Sequence, residues 1–190
     1  MIYPKNGMLS KLIVCITGKP GSGKSSIVNK LQESGFENFT LGDGIRAEAK
    51  RRNIEPSGEN LGKLMLDLRE KNGPGAVAEL IKNSIQNSTH EVVIIDGIRS
   101  IAEIDVLKKF GKVKLLAIDA SPQTRFNFLT LRGRSDDPKT REKFEERDIR
   151  EIGVGLDKSM EIADKTITNH NLTIEELVNT AKEIIESWTK

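Results

Sequence analysis

Near-continuous apolar runs alternate along this chain with stretches in which apolar residues recur every three or four positions. The clearest runs are Leu12–Ile16, Val92–Ile95 and Val113–Ile118, and short strands are also expected around Phe39–Leu41 and at Lys165–Thr168. Runs of this length, bounded by turn residues and lacking polar alternation, predict strands buried on both faces. Between them the period changes to that of a helix. Ile27, Val28 and Leu31 form one stripe of a helix over 25–34, and Gly35 is its stop.

Asp43 is placed to cap a second helix running to about Arg52. Pro56-Ser57-Gly58 then breaks the chain before Leu61, Leu64, Met65 and Leu68. Asn72-Gly73-Pro74-Gly75 breaks it again before Val77, Leu80, Ile81 and Ile85. Three short helices are therefore expected between the second and third strands, more than a simple crossover needs, and they predict a mobile helical excursion over about 43–88. Ser100 with Glu103 forms a capping box, and Ser121-Pro122 supplies an N-cap with proline at the first helical position of a helix running toward Leu131. An arginine-rich turn follows, predicting a short lid over about 132–140, then a charged helix to about Ile152. The last helix has a Thr173/Glu176 capping box, a Leu172/Leu177 staple and a core stripe of Ile174, Val178, Ala181, Ile185 and Trp188.

Buried-type strands alternating with helices predict an α/β fold: a five-stranded parallel sheet with helices on both faces and ligands at the strands' carboxyl ends. The length of 190 residues suits one such domain spanning 1–190. Thirty Lys and Arg against 28 Asp and Glu leave a net charge of only +2, well mixed, so no basic stripe advertises nucleic acid. No apolar run is long enough to span a bilayer and residues 1–10 read as a loose leader without a signal-peptide core, which predicts a cytoplasmic protein. The single cysteine, Cys15, lies mid-strand, where it reads as a small buried hydrophobe. Both a monomer and a small homo-oligomer fit these bounds.

The candidate chemistry starts directly after the first run. Gly18-Lys19-Pro20-Gly21-Ser22-Gly23-Lys24-Ser25 has the Gly-x-x-x-x-Gly-Lys-Ser spacing of a phosphate-binding loop between a strand and a helix. Its glycines let backbone N–H groups turn inward on a phosphate, and the helix that opens at Ser25 and Ser26 adds its N-terminal dipole. Lys24 would reach the β- and γ-phosphates of ATP, and the Ser25 hydroxyl would hold Mg²⁺. Asp96, ending the Val92–Ile95 run, is placed as a second Mg²⁺ ligand, or else caps the turn at Gly97. Asp43 could order the metal's water shell, act as a base toward an acceptor hydroxyl, or only cap its helix. Arg46 and Arg99 each follow an aspartate by three residues and could clamp an acceptor phosphate; surface ion pairs are the alternative. Arg132 and Arg134 are the candidates to close over the transferring group. Arg141 reads as structural and Arg147 as undecided, because Arg141–Glu145, Glu146–Arg150 and Arg147–Glu151 are i,i+4 pairs expected on a solvated helix.

These motifs together resemble the adenylate kinase branch of P-loop nucleoside monophosphate kinases. Thr40-Leu41-Gly42-Asp43-Gly44-Ile45-Arg46 is similar to that family's acceptor motif. Asp96-Gly97-Ile98-Arg99 is similar to its Asp-Gly-Phe-Pro-Arg without the proline, and 119–124 with 132–137 to its lid region, contracted. Ala163 to Asn169 is closer to the corresponding tail of dephospho-coenzyme A kinases, and the whole pattern looks most like functionally uncharacterised archaeal adenylate-kinase-related proteins. Leu41, Glu103 and Phe128 depart from the family at positions near the bases. The resemblance implies a three-layer P-loop fold and transfer from ATP·Mg²⁺ to a small phosphorylated acceptor. The alternative is a nucleotide-dependent switch without an acceptor, although the chain lacks an Asn-Lys-x-Asp guanine reader.

Overall fold

The computed structural model describes residues 11–134, 137–170 and 172–189. The expected leader, 1–10, and two residues of the expected lid, 135 and 136, lie outside the described residues. Five parallel strands form one sheet: β1 (Leu12–Thr17), β2 (Glu37–Thr40), β3 (Val92–Ile98), β4 (Lys112–Asp119) and β5 (Lys165–Thr168), in the order β2-β3-β1-β4-β5. The fold class expected from the apolar runs is therefore the one observed.

The period of two along each strand divides the core. Ile13, Cys15, Val93, Ile95 and Leu115 face one layer, while Leu12, Val14, Ile16, Ile94, Leu116 and Ile118 face the other. The first layer is built by α2 (Leu41–Arg51), α3 (Gly58–Asn72), α4 (Ala76–Glu79), α5 (Lys82–Asn87) and α6 (Ile101–Leu107). The second is built by α1 (Lys24–Glu33) and α10 (Ile174–Thr189). α7 (Pro122–Arg132), α8 (Arg141–Gly153) and α9 (Leu156–Glu161) complete the chain. Cys15 is buried, and the lack of water pushes its thiol well above the usual range, so it behaves as the expected small hydrophobe. Among the described residues no helix is long and apolar enough to cross a membrane.

Four local expectations are revised. The helix expected over Val77–Ile85 is two pieces, α4 and α5, broken by a turn at Leu80–Ile81, and Val77, Ile81 and Ile85 still reach one core cluster. α9 was not foreseen; it is a single turn and a half that buries Leu156. Ile174 leaves the expected core stripe, being 55% exposed, and Leu177 takes its place beside Val178, Ala181 and Ile185. Asp43 does not cap α2. That helix begins two residues earlier, at Leu41, with Thr40 as its N-cap, which moves Asp43 into the first turn. The Ser100/Glu103 and Thr173/Glu176 capping boxes both form.

One irregularity shapes the sheet's carboxyl edge. Ile16 pairs with Asp96 but Thr17 pairs with Ile98, so Gly97 is an extra residue on β3. It takes φ +92°, a conformation that glycine adopts without a Cβ penalty. The Thr17 hydroxyl locks the bulge by donating to the Ile98 carbonyl at 2.8 Å.

Replacing Ile95→Ala, at the centre of the sheet, is expected to cost about 2–5 kcal/mol in urea unfolding, because the cavity it leaves cannot collapse. Leu131→Ala, 83% exposed on α7, should stay within about 0.5 kcal/mol.

Candidate functional site

At the carboxyl edge a cavity of about 470 Å³ opens between the β1–α1 loop, the ends of β2 and β3, and α7 and α8. The loop builds its floor. Gly18, Pro20, Gly21, Gly23, Ser25 and Ser26 all face the space. Gly21 has φ +83°, and a Cβ there would collide with the Arg125 carbonyl, so both conformation and close packing require glycine. Ser22 turns inward, fully buried, and its carbonyl accepts from Asn169 Nδ2 at 3.0 Å. Lys19 lies outside the cavity wall, 3.4 Å from Asp157.

Lys24 folds onto the loop itself. Its Nζ donates to the carbonyls of Gly18 at 2.6 Å and Lys19 at 2.9 Å and lies 3.4 Å from Ser22 Oγ. Loss of water pushes this amine down to about 8, against the pull of the Asp96 and Glu151 carboxylates. α1 starts at the same point, with Gly23 at its N-cap, so the N-terminal end of the helix faces the cavity.

Asp96 lies on the adjoining wall, 7% exposed, and burial raises its carboxyl above the usual range against the opposing charges of Lys24 and Arg99. Its Oδ1 is buried without a hydrogen-bond partner. A carboxylate oxygen left in this way costs free energy that a cation would recover. With Ser25 on the same cavity, the two candidate Mg²⁺ ligands fit such an ion.

Of the arginines singled out in the sequence, Arg46, Arg99, Arg132, Arg134 and Arg147 all line the cavity. Carboxylates on other turns hold most of them. Arg99 donates from Nε to Glu151 Oε2 at 2.6 Å, and Arg147 donates to Glu151 Oε1 and Asp137 Oδ1 at 3.4 Å each. Arg132 is bonded to both oxygens of Asp137. Burial works to raise Glu151, but the Arg99 and Arg147 charges outweigh it and hold the carboxyl down at about 2. Arg141 stays outside the cavity, over the Phe126 and Phe144 rings. Glu146 pairs with Lys143 rather than with Arg150.

Asp43, like Lys19 and Ser22, is not brought to the cavity wall. It is mostly exposed and accepts from Arg46 Nε at 3.1 Å and Nη2 at 2.6 Å. The early start of α2 turns its side chain outward. Leu41 is fully buried in the core rather than at a ligand wall. Glu103 is fully buried as well, accepting from Arg69 at 2.5 Å and from the backbone N–H groups of Arg99 and Ser100. Phe128, 40% exposed, does face the cavity.

Three residues that the sequence reading passed over matter here. Glu151 was visible only as an i,i+4 partner of Arg147. Asn169 directly follows the last strand, a position where ligand-side residues are expected. Arg125, 2% exposed, carried no signal. It donates to Asp148 at 2.8 and 2.5 Å and to the Pro20 carbonyl at 3.2 Å, tying the glycine loop to α7 and α8. Removing one partner of so buried a pair costs about 3–5 kcal/mol.

A family model described as an AAA domain matches residues 17–145, and the chain belongs to that family. A UPF0200 protein of Hyperthermus butylicus is 41% identical over 94% of this chain and 96% of its own length. The chain belongs to the UPF0200 family. Another UPF0200 protein, from Methanopyrus kandleri, is 38% identical over 93% of this chain and 90% of its own. Among solved structures, TT1252 from Thermus thermophilus aligns with a TM-score of 0.63 at 17% identity, covering 94% of this chain and 98% of that one. Shikimate kinase from Bacteroides thetaiotaomicron aligns with a TM-score of 0.57 at 18% identity, covering 92% and 98%. The UPF0200 chain therefore shares its fold with P-loop kinases.

Lys24 makes a stability signature. Its folded value of about 8 lies below the unfolded 10.5, so the unfolded chain binds more protons between these pH values and stability rises with pH there. Below pH 8 the full cost of burying the charge is present. Lys24→Met is expected to be more stable than the ligand-free wild type at pH 7 in thermal melts, with the gap closing between about pH 8 and 10.5.

Proposed function

We propose that this UPF0200 protein is an adenylate-kinase-related phosphotransferase that moves the γ-phosphoryl group of ATP to a small phosphorylated acceptor. The observation that carries this reading is the convergence of the glycine loop, an unpartnered buried Asp96 oxygen and five arginines on one cavity. A switch needs only the loop. Arginines delivered from α2, β3, α7 and α8 are explained by a second anionic ligand facing the nucleotide.

The loop N–H groups and the start of α1 would hold the β-phosphate. Lys24 would exchange its loop carbonyls for the β- and γ-oxygens, and Phe128, with the exposed Leu131 and Ile174, would offer an apolar surface to the adenine. Ser25 and Asp96 would hold Mg²⁺, whose positive charge neutralises the triphosphate when bound. Arg46 and Arg99 would grip the acceptor phosphate, with Asp43 steadying Arg46 from outside. Arg132 and Arg134 would close over the group in flight. In the transfer the bond from the γ-phosphorus to the bridging oxygen breaks, a bond to an acceptor phosphate oxygen forms, and ADP leaves. The attacking oxygen is already anionic, so no general base is required. On this reading 1–190 is one unit, α2 to α5 within 43–88 form the acceptor-binding excursion, and 132–140 form the lid.

A coupled ADP-release assay across nucleoside monophosphates and dephospho-coenzyme A tests the proposal. Lys24→Ala is expected to lower turnover by about 100-fold or more, and Arg99→Ala to raise the acceptor KM more than the ATP KM. Turnover unchanged by Lys24→Ala would sink the assignment. Nucleotide hydrolysis that no acceptor stimulates would favour the switch.

A further inference from the structure

Beside the main cavity lies a smaller one, about 50 Å³, between α2, α3 and α8. The two share Arg46, Arg99, Arg147 and Glu151, so they are contiguous. Its remaining walls are Ile45, Leu61 and Met65 on one side and the Arg150 guanidinium on the other. Four arginines line this space beside one described carboxylate, Glu151, which Arg99 and Arg147 engage, while Asp43 and Asp137 hold Arg46 and Arg147 from outside it.

Arg150 is the unusual member. It is half-buried and has no hydrogen-bond or ion-pair partner among the described residues. Burial lowers its affinity for the proton; Glu151 opposes that effect, and the like charges of Arg147 and Arg99 reinforce it. A half-buried guanidinium with no partner among the described residues, set beside the like charges of Arg147 and Arg99, is a place where an anion would be stabilised. The packing has been arranged to keep it there. Gly62 sits inside α3, where glycine costs roughly 1 kcal/mol against alanine. A Cβ at that position would stand 2.9 Å from Arg150 Cζ and Nε, so Gly62 is what lets the guanidinium lie on the helix backbone.

We infer that Arg150, seated on Gly62, forms a second anion subsite, and that the acceptor carries two anionic groups. One, the phosphate, meets Arg46 and Arg99 in the main cavity. The other, a carboxylate or second phosphate, enters the side cavity. Its volume admits roughly three or four waters, which suits such a group and excludes a purine. This rests on the acceptor reading above and sharpens it toward compact, doubly anionic metabolites rather than nucleoside monophosphates.

The test is calorimetric titration of the protein saturated with ADP·Mg²⁺, using glycerol 3-phosphate, 3-phosphoglycerate and AMP as probes. 3-Phosphoglycerate should bind at least about tenfold more tightly than glycerol 3-phosphate. Arg150→Met should level the two, and Gly62→Ala should narrow the gap by displacing the guanidinium. ADP affinity in each variant reports an intact fold. Equal binding of the two small phosphates by wild type, or a preference that survives Arg150→Met, overturns the subsite alone. AMP binding more tightly than 3-phosphoglycerate also overturns it, while leaving the kinase reading standing. Binding of no probe removes the acceptor reading and the subsite with it.

Discussion

The candidate site depends on keeping like charges together in a place with little water. Five arginines line the main cavity, and such a cluster would disperse without carboxylates to hold it. Glu151 and Asp137 do this from within. Glu151 bridges Arg99, at the end of β3, to Arg147 in its own helix, and Asp137 joins Arg132 to Arg147. Each of these two carboxylates therefore accepts from two arginines. The depressed proton affinity of Glu151 is the electrostatic trace of the same arrangement.

The sheet fixes where that network meets the glycine loop. β1 lies between β3 and β4, so the loop leaving β1 stands beside Asp96, and the bulge at Gly97 sends the chain on toward Arg99. Arg125 adds a second tie, joining the Pro20 carbonyl to Asp148 one turn before Glu151. A movement of α8 would therefore reach the loop through Arg125 and Arg99 through Glu151. The energetic logic is that of a preorganised site, in which charges are placed during folding rather than during reaction.

Much of this architecture was legible in the residues. The three central strands announced themselves as apolar runs, and the capping boxes at Ser100 and Thr173 marked helix starts, because those signals are local. The glycine loop was legible for the same reason. Other features depended on competition between neighbouring elements. Asp43 looked like a cap because it follows Gly42, yet Leu41 is drawn into the core and starts the helix earlier. Ile174 fitted a periodic stripe, but the final helix rolls Leu177 inward and leaves Ile174 at the cavity mouth. Glu103, expected near a base, is consumed by Arg69 and two backbone N–H groups.

By itself the sequence determined the α/β class, the parallel sheet and the glycine loop after β1, since each is written in the spacing of residues within one segment. The tertiary structure alone decided which arginines converge, that Glu151 holds two of them, and that Arg150 rests on Gly62 without a partner among the described residues. The physical reason is that a charge pair four residues apart reads the same whether it lies in water or in a cavity. Only the packing of α3 and α8 against the sheet settles which, and with it what Arg99, Arg147 and Arg150 face.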